Sequence, residues 1–154
     1  MMSTAGGRHG WIASRLNRLL GNHVDAKNLG TIFAAETGFL ISTDPDTVRA
    51  PDVAFVHRQR MKELDNLDGY LPLAPDLVGE VVSPNDSTSE VEAKSQMWLA
   101  AGVKMVLVVD PINKSVRVYR TPSKIDVFQQ GDTIDASDVV EGWMPNVTDI
   151  FPNE

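Results

Sequence analysis

The stretch APDLVGEVVSP, residues 74–84, predicts a buried β-strand with a carboxylate in its apolar middle. Leu77–Val82 is apolar on both sides of Glu80, and a period of two residues puts Glu80 on one sheet face with Val78 and Val82. An ionised carboxylate on such a face is costly unless it is paired or holds a metal ion. Glu80 therefore belongs either to a structural ion pair or to a functional site.

A second carboxylate precedes this strand in the sequence. Asp52 follows Pro51 and opens the apolar run Val53–His57, which predicts another strand with a proline at its edge. An aspartate at the start of a strand often does no more than cap a turn, and that interpretation stays open. The alternative is that Asp52 lies beside Glu80, where the two carboxylates would form one site.

Lys94 lies in the helix that is predicted to follow the strand. Ser87, with Glu90 three residues later, forms a capping box at the helix start, and Gly102 marks the end. Lys94 shares a helix face with Trp98, which is typical of a packing side chain. A lysine on this face either extends past the sheet edge into solvent or points at an acidic group beneath it. The helix pattern leaves both interpretations open.

Asp52, Glu80 and Lys94 together predict a catalytic site for metal-dependent phosphodiester hydrolysis. Two carboxylates and a main-chain carbonyl are suitable ligands for a hard cation such as Mg²⁺. Such an ion polarises the phosphate and lowers the pKa of a bound water. A nearby lysine can orient that water or stabilise negative charge on the phosphate in the transition state.

The remaining titratable residues give weaker signals. His9, His23 and His57 are scattered without the spacing of metal ligands, and Glu36 is either a further site acid or a solvated strand residue. The sequence contains no catalytic Ser-His-Asp motif and no phosphate-binding glycine loop. The carboxylates and Lys94 therefore remain the best candidates for chemistry.

The composition is that of an ordinary globular chain with an acidic balance. The 154 residues have the usual length of one domain and carry a formal charge of −7, with no cysteine for disulfides or zinc sites. This charge counts against broad, nonspecific nucleic-acid binding, but carboxylates that hold a cation also add to the acid count. Basic residues gather in the first thirty residues and at His57–Lys62, where they could form a local rim.

The sequence shows no targeting or membrane-spanning segment. Residues 1–8 contain no apolar core, and apolar runs such as Met105–Val109 are far too short to span a bilayer. We therefore expect a cytoplasmic protein without a membrane partner.

The order of the predicted elements indicates an α/β (α+β) fold, with a mixed central β-sheet flanked by helices. An amphipathic helix at 11–20 is predicted to end at Gly21, several strands follow it, and a helix at 87–101 leads to a buried strand at 103–109. The clean alternation at 116–119 is typical of an exposed or edge strand.

Five segments occur in an order that is characteristic of one protein family. They are Pro51-Asp52-Val53, residues 74–84, Lys94 with Trp98, Val108-Val109-Asp110-Pro111 and residues 116–120. Together they resemble the Uma2 family of bacterial nucleases, in the restriction-endonuclease-like, PD-(D/E)XK superfamily, over nearly the whole chain. The resemblance implies a single restriction-endonuclease-like nuclease domain over residues 1–154 that lacks the family's usual N-terminal segment.

The resemblance also implies roles for individual residues. Asp52, Glu80 and the carbonyl of Val81 would bind the metal, which would be Mg²⁺ or, as a substitute, Mn²⁺. The ordinary superfamily motif has its lysine at position 82, where this chain has Val82. Lys94 would then do the work of the catalytic lysine from the following helix.

The leading hypothesis is a metal-dependent endonuclease that hydrolyses DNA and works as a homodimer. One alternative is a non-catalytic dimeric interaction module on the same fold, and another is a nuclease that acts on RNA or branched nucleic acid. A metal site requires that Asp52, Glu80 and Lys94 converge in the folded chain, whereas an interaction module does not.

Overall fold

The computed structural model describes residues 5–154, which form a six-stranded sheet with helices on both faces and a separate two-stranded hairpin. In chain order the elements are α1 (Gly7–Lys27), β1 (Gly30–Ala34), β2 (Phe39–Ser42), β3 (Thr47–Arg49), β4 (Val53–His57), α2 (Arg58–Met61), β5 (Leu77–Val81), α3 (Thr88–Ala100), β6 (Met105–Asp110), β7 (Ser115–Thr121), β8 (Lys124–Gln129) and α4 (Val147–Ile150).

The six-stranded sheet is mixed. Its strand order is β1-β4-β5-β6-β7-β8, and β2 pairs with β3 in the hairpin. β5 and β6 are parallel, and α3 connects them because a parallel pair requires a crossover. The other neighbouring strands of this sheet are antiparallel. The predicted α/β (α+β) fold, a mixed central sheet flanked by helices, is confirmed.

Each face of the sheet is covered by one of the two long helices. α1 buries Ile12, Leu16 and Leu20 against one face. α3 buries Trp98 against the other face, where it joins a cluster that includes Val78. Each of these large apolar side chains contributes roughly 1.5–3 kcal/mol through burial. Both helices are therefore firmly positioned over the sheet, and both carry residues of the site described below.

The predicted end of the first helix at Gly21 is wrong. α1 continues to Lys27 and ends at Asn28, which has a left-handed conformation with a φ of 52°. Gly21 has a packing role instead, because a Cβ atom at this position would lie 2.4 Å from Cδ1 of Ile32. The glycine therefore marks the close approach of α1 to β1.

The prediction of an exposed or edge strand at 116–119 is also wrong. β7 lies between β6 and β8, and Val116 and Val118 are buried on the α1 side while Tyr119 is buried on the α3 side. The alternation arose from the half-buried Arg117, which interrupts an otherwise apolar strand. The edge strand at this end of the sheet is β8, most of which is exposed.

Two further predictions concern α3 and are confirmed. Ser87 Oγ accepts the main-chain N–H of Glu90 at 3.1 Å, as a capping residue should. The helix stops before Gly102, which adopts a φ of 106° that other residues rarely adopt.

Within residues 5–154, no helix is both long enough and apolar enough to cross a bilayer.

Candidate active site

The three predicted site residues converge at one end of the main sheet. Asp52 directly precedes β4, and Glu80 is the next-to-last residue of β5. Because these strands are antiparallel, with Val53 opposite Gly79, the start of β4 meets the end of β5. Lys94 reaches the same point from the middle of α3.

Asp52 and Glu80 are held in place by reciprocal hydrogen bonds. The main-chain N–H of Asp52 donates to Oε1 of Glu80 at 3.1 Å, and Oδ2 of Asp52 accepts the N–H of Val81 at 2.8 Å. These bonds extend the contact between the strands beyond their last paired residues, Val53 and Gly79. Asp52 thus has a structural role at the strand end and also presents its carboxylate beside Glu80.

Glu80 carries an unfavourable charge in this arrangement. Its side chain is only 12% exposed. Burial, followed by the charge of Asp52, raises the pKa of Glu80 from the ordinary 4.5 to about 7. Lys94 and the N–H of Asp52 oppose this rise but do not cancel it. A cation placed at the two carboxylates would relieve the repulsion.

Lys94 points at an acidic group rather than along the sheet edge. Its Nζ lies 3.2 Å from Oε2 of Glu80, although the lysine side chain is 55% exposed. Burial alone would lower the pKa of Lys94, but the charge and hydrogen bond of Glu80 raise it overall. The ammonium group therefore stays protonated at neutral pH. Val82 packs against the α3-side core.

His9 also belongs to the site, although it was not predicted to lie there. Its Nε2 lies 3.3 Å from Oδ2 of Asp52, and its side chain is 16% exposed. The two residues are 43 positions apart, so their spacing along the chain carried no signal. A signal was available in α1, where Ile12 and Leu16 form a buried stripe that His9 extends by one turn toward the N-terminus. A polar residue in such a stripe faces the sheet.

The site opens into a cleft of about 1490 Å³ between α1 and the loop at 83–86. The charged side chains that line it are Asp25, Glu36, Asp52, Glu80, Asp86, Glu90, Arg18 and Lys94. Acidic groups therefore outnumber basic ones, as in the chain as a whole. Glu36 lies at this cleft as an exposed residue after β1, away from the hydrogen bonds that join Asp52 and Glu80.

The basic cluster at His57–Lys62 does not form a rim around the site. It follows the end of β4, whereas Asp52 lies before its start, and a five-residue strand spans roughly 17 Å. Arg60 is used in a structural contact, because its Nη1 lies 3.1 Å from Oδ1 of the buried Asp76. The N–H of His57 donates to the other oxygen of Asp76 at 2.7 Å.

The donor atoms at the site are compatible with a hard cation. Within residues 5–154, no group of three or more His, Cys, Asp or Glu side chains is arranged to hold a metal by itself. A metal here would instead use Asp52, Glu80, a main-chain carbonyl and water, which is a set that Mg²⁺ accepts. The N–H of Val81 points to Asp52. In a strand, the carbonyl of a residue points to the same side as its N–H. The carbonyl of Val81 is therefore directed towards Asp52 as well.

The comparison with protein families agrees with these observations. The model of the Uma2 family, described as “Putative restriction endonuclease”, matches residues 1–148. The chain belongs to the Uma2 family. The family predicted from the sequence is thereby confirmed, and membership supports a nuclease.

A solved structure shares the fold of this Uma2 protein. It is described as “a putative nuclease belonging to DUF820 from Anabaena variabilis ATCC 29413”. The two structures match with a TM-score of 0.80 at 22% sequence identity, over 97% of this chain and 83% of the other. At this identity the likeness shows a common fold and leaves the activity to be argued from the site. No relative with a curated description matches the chain.

Proposed function

We propose that this Uma2 protein is a Mg²⁺-dependent endonuclease that hydrolyses DNA phosphodiester bonds, with Mn²⁺ as a substitute metal. The observation that carries the proposal is the placement of Asp52 and Glu80 side by side in a cleft. The ammonium group of Lys94 forms an ion pair with Glu80 there. Asp52, Glu80 and the Val81 carbonyl would hold the metal. We further propose that this activity is cytoplasmic.

Each residue has a distinct task in this reaction. Water adds to phosphorus, the bond to the leaving oxygen breaks, and that oxygen takes a proton. Bound Mg²⁺ supplies polarisation of the phosphate and a water of lowered pKa. Lys94 presents a cation to the attacking water or to the charge that develops on the phosphate. Asp52 and Glu80 would hold the metal, and the main-chain N–H groups of Asp52 and Val81 fix the positions of their carboxylates.

The acidic lining of the cleft supports a metal-dependent rather than a metal-independent reaction. The basic residues that line the cleft are Arg18, Lys94 and His9, and acidic residues outnumber them. The cleft without metal would therefore repel an approaching polyanion such as DNA. A divalent cation at Asp52 and Glu80 reverses the local sign where the scissile phosphate must lie. The proposal therefore predicts that DNA binding in the cleft depends on the metal.

Isothermal titration of Mg²⁺ and Mn²⁺ tests the metal site, beside an Asp52→Asn variant. The asparagine can still accept the N–H of Val81, so that it removes charge with little change to the strand end. Each titration is run with and without a DNA oligonucleotide. Binding by the wild type under either condition, with no binding by Asp52→Asn, supports the proposal. Absence of binding under both conditions favours the non-catalytic interaction module. Cleavage assays on plasmid DNA, single-stranded DNA, branched DNA and RNA then identify the substrate.

Lys94→Ala is expected to lower kcat by about a hundredfold while changing metal affinity much less, since a positioned cation acts mainly on the transition state. Cleavage kinetics at saturating Mn²⁺, together with the Mn²⁺ dissociation constant, measure the two effects separately. Lys62→Ala is the matched control, because Lys62 is an exposed lysine far from the cleft. A Lys94→Ala protein that unfolds more easily but keeps its kcat would show that Lys94 has only a structural role.

A further inference from the structure

The outer edge of β8 is open. β8 is the last strand of the main sheet and pairs with β7 on one side only. Within residues 5–154, the main-chain groups of residues 125–128 make no backbone hydrogen bond to any segment other than β7. At the two ends of β8, the N–H of Lys124 donates to Thr121 and the N–H of Gln129 donates to Asp132, so the open edge covers residues 125–128. Such an edge is a template for pairing with another strand.

Two aliphatic side chains are exposed on this edge strand. Ile125 is 39% exposed and Val127 is 56% exposed. They lie opposite Tyr119 and Arg117 of β7, on the sheet face that α3 covers further in. α3 contacts β6 and β7, whereas Ile125 and Val127 on β8 stay exposed. An added strand would bring aliphatic side chains next to Ile125 and Val127.

We propose that β8 pairs antiparallel with β8 of a second copy of this chain, about a two-fold axis at Ile125. In this register Lys124 lies opposite Asp126 of the partner subunit, and the same pair recurs across the axis. Ile125 meets its own copy, and the two Val127 side chains lie diagonal to it. Opposite charges and aliphatic pairs directly across strands both stabilise a sheet.

The charges on β8 favour this register over its neighbours. A two-fold axis at Asp126 would place the two Asp126 carboxylates opposite each other, which is unfavourable. An axis at Val127 would place Asp126 opposite Phe128. Charged residues on an edge strand usually prevent pairing. Here Asp126 disfavours both shifted registers, and its pair with Lys124 stabilises the register centred on Ile125.

This interface is separate from the candidate active site. Three strand spacings lie between β5, which carries Glu80, and β8, a distance of roughly 14 Å. The interface takes no residue from the cleft, and dimerisation can be measured without any assay of nuclease activity. Failure of the proposed function would therefore leave this inference untouched, and the reverse also holds.

Sedimentation velocity over a wide concentration range tests the interface with Lys124→Glu and Asp126→Lys. Each variant creates two like-charged pairs, so that each alone should raise the dimer dissociation constant by about tenfold or more. In an equimolar mixture every pair is again of opposite charge, and a heterodimer should form. Circular dichroism of each variant verifies that the exposed replacements leave the fold intact.

Ile112→Asp is the matched control, because Ile112 is 79% exposed in the turn after β6 and lies off the β8 edge. This variant should dimerise like the wild type. The inference is overturned if the wild type is monomeric at every concentration, if the single charge variants dimerise as well as the wild type, or if their mixture fails to recover the dimer. Loss of the dimer in Ile112→Asp would also overturn it.

Discussion

Glu80→Gln is expected to reduce metal-dependent cleavage by about a thousandfold or more, because it removes a ligand charge from the metal that activates water and phosphate. The same change should raise the free energy of unfolding in the presence of a chelator by about 1–2 kcal/mol at pH 8. Loss of function would thus come with a gain in stability. This combination separates a functional carboxylate from a structural one.

The gain in stability follows from the environment of Glu80. Its pKa of about 7, against an ordinary 4.5, means that the ionised side chain is destabilised where it lies. Glutamine keeps an oxygen for the N–H of Asp52, but it leaves Lys94 without an anionic partner. The expected gain is therefore smaller than the full effect of the pKa shift.

Urea denaturation and plasmid cleavage measure the two effects, with Glu63→Gln as the control. Glu63 is exposed and lies outside the cleft, so that its replacement should change neither quantity. The metal assignment would fail if Glu80→Gln cleaved DNA as fast as the wild type. A Glu80→Gln protein that is less stable than the wild type would indicate a structural ion pair with Lys94.

The core of the site was accessible from the sequence because local patterns fix the directions of its side chains. The period of two residues in Leu77–Val82 predicted the face on which Glu80 lies. The helix face shared with Trp98 left two directions open for Lys94, and an acidic group beneath the helix was one of them. The structure brings these side chains within 3.2 Å of each other. Their roles in metal binding and catalysis remain predictions that the experiments above address.

The contacts that the sequence did not reveal are those between distant segments. His9 approaches Asp52 only because α1 crosses the sheet at the start of β4. Gly21 was interpreted as a helix end, since its close approach to Ile32 is a tertiary contact. β7 was interpreted as an edge strand because alternation reports which face a side chain occupies and not the position of a strand in the sheet.

The folded chain holds two acidic side chains, Asp52 and Glu80, close together against their mutual repulsion. Two acidic side chains meet at the end of β5, and the partly exposed Lys94 offsets only part of their repulsion. The apolar clusters on both sheet faces supply the stability that holds this arrangement. A charge imbalance that the protein alone does not compensate is typical of functional sites. It also makes the stability of the metal-free protein sensitive to pH.

Without metal, the wild-type protein is expected to lose about 2–3 kcal/mol of unfolding free energy between pH 5 and pH 8 through Glu80 alone. Folded Glu80 keeps its proton until about pH 7, whereas the unfolded chain releases it near 4.5. Between these values the folded state binds more protons than the unfolded state. Stability therefore falls as the pH rises through this window, and the contribution of Glu80 is fully retained only at lower pH.

Denaturation at a series of pH values in the presence of a chelator, with Glu80→Gln as reference, isolates this contribution because the variant shares every other titrating group. As the pH rises from 5 to 8, the unfolding free energy of the wild type should fall relative to that of Glu80→Gln. Saturating Mn²⁺ should reverse the trend, since a metal binds the ionised carboxylate and its affinity rises with pH. A difference that does not change with pH would show that Glu80 titrates alike in the folded and unfolded states, and the pair with Asp52 would then carry no electrostatic conflict for a metal to relieve.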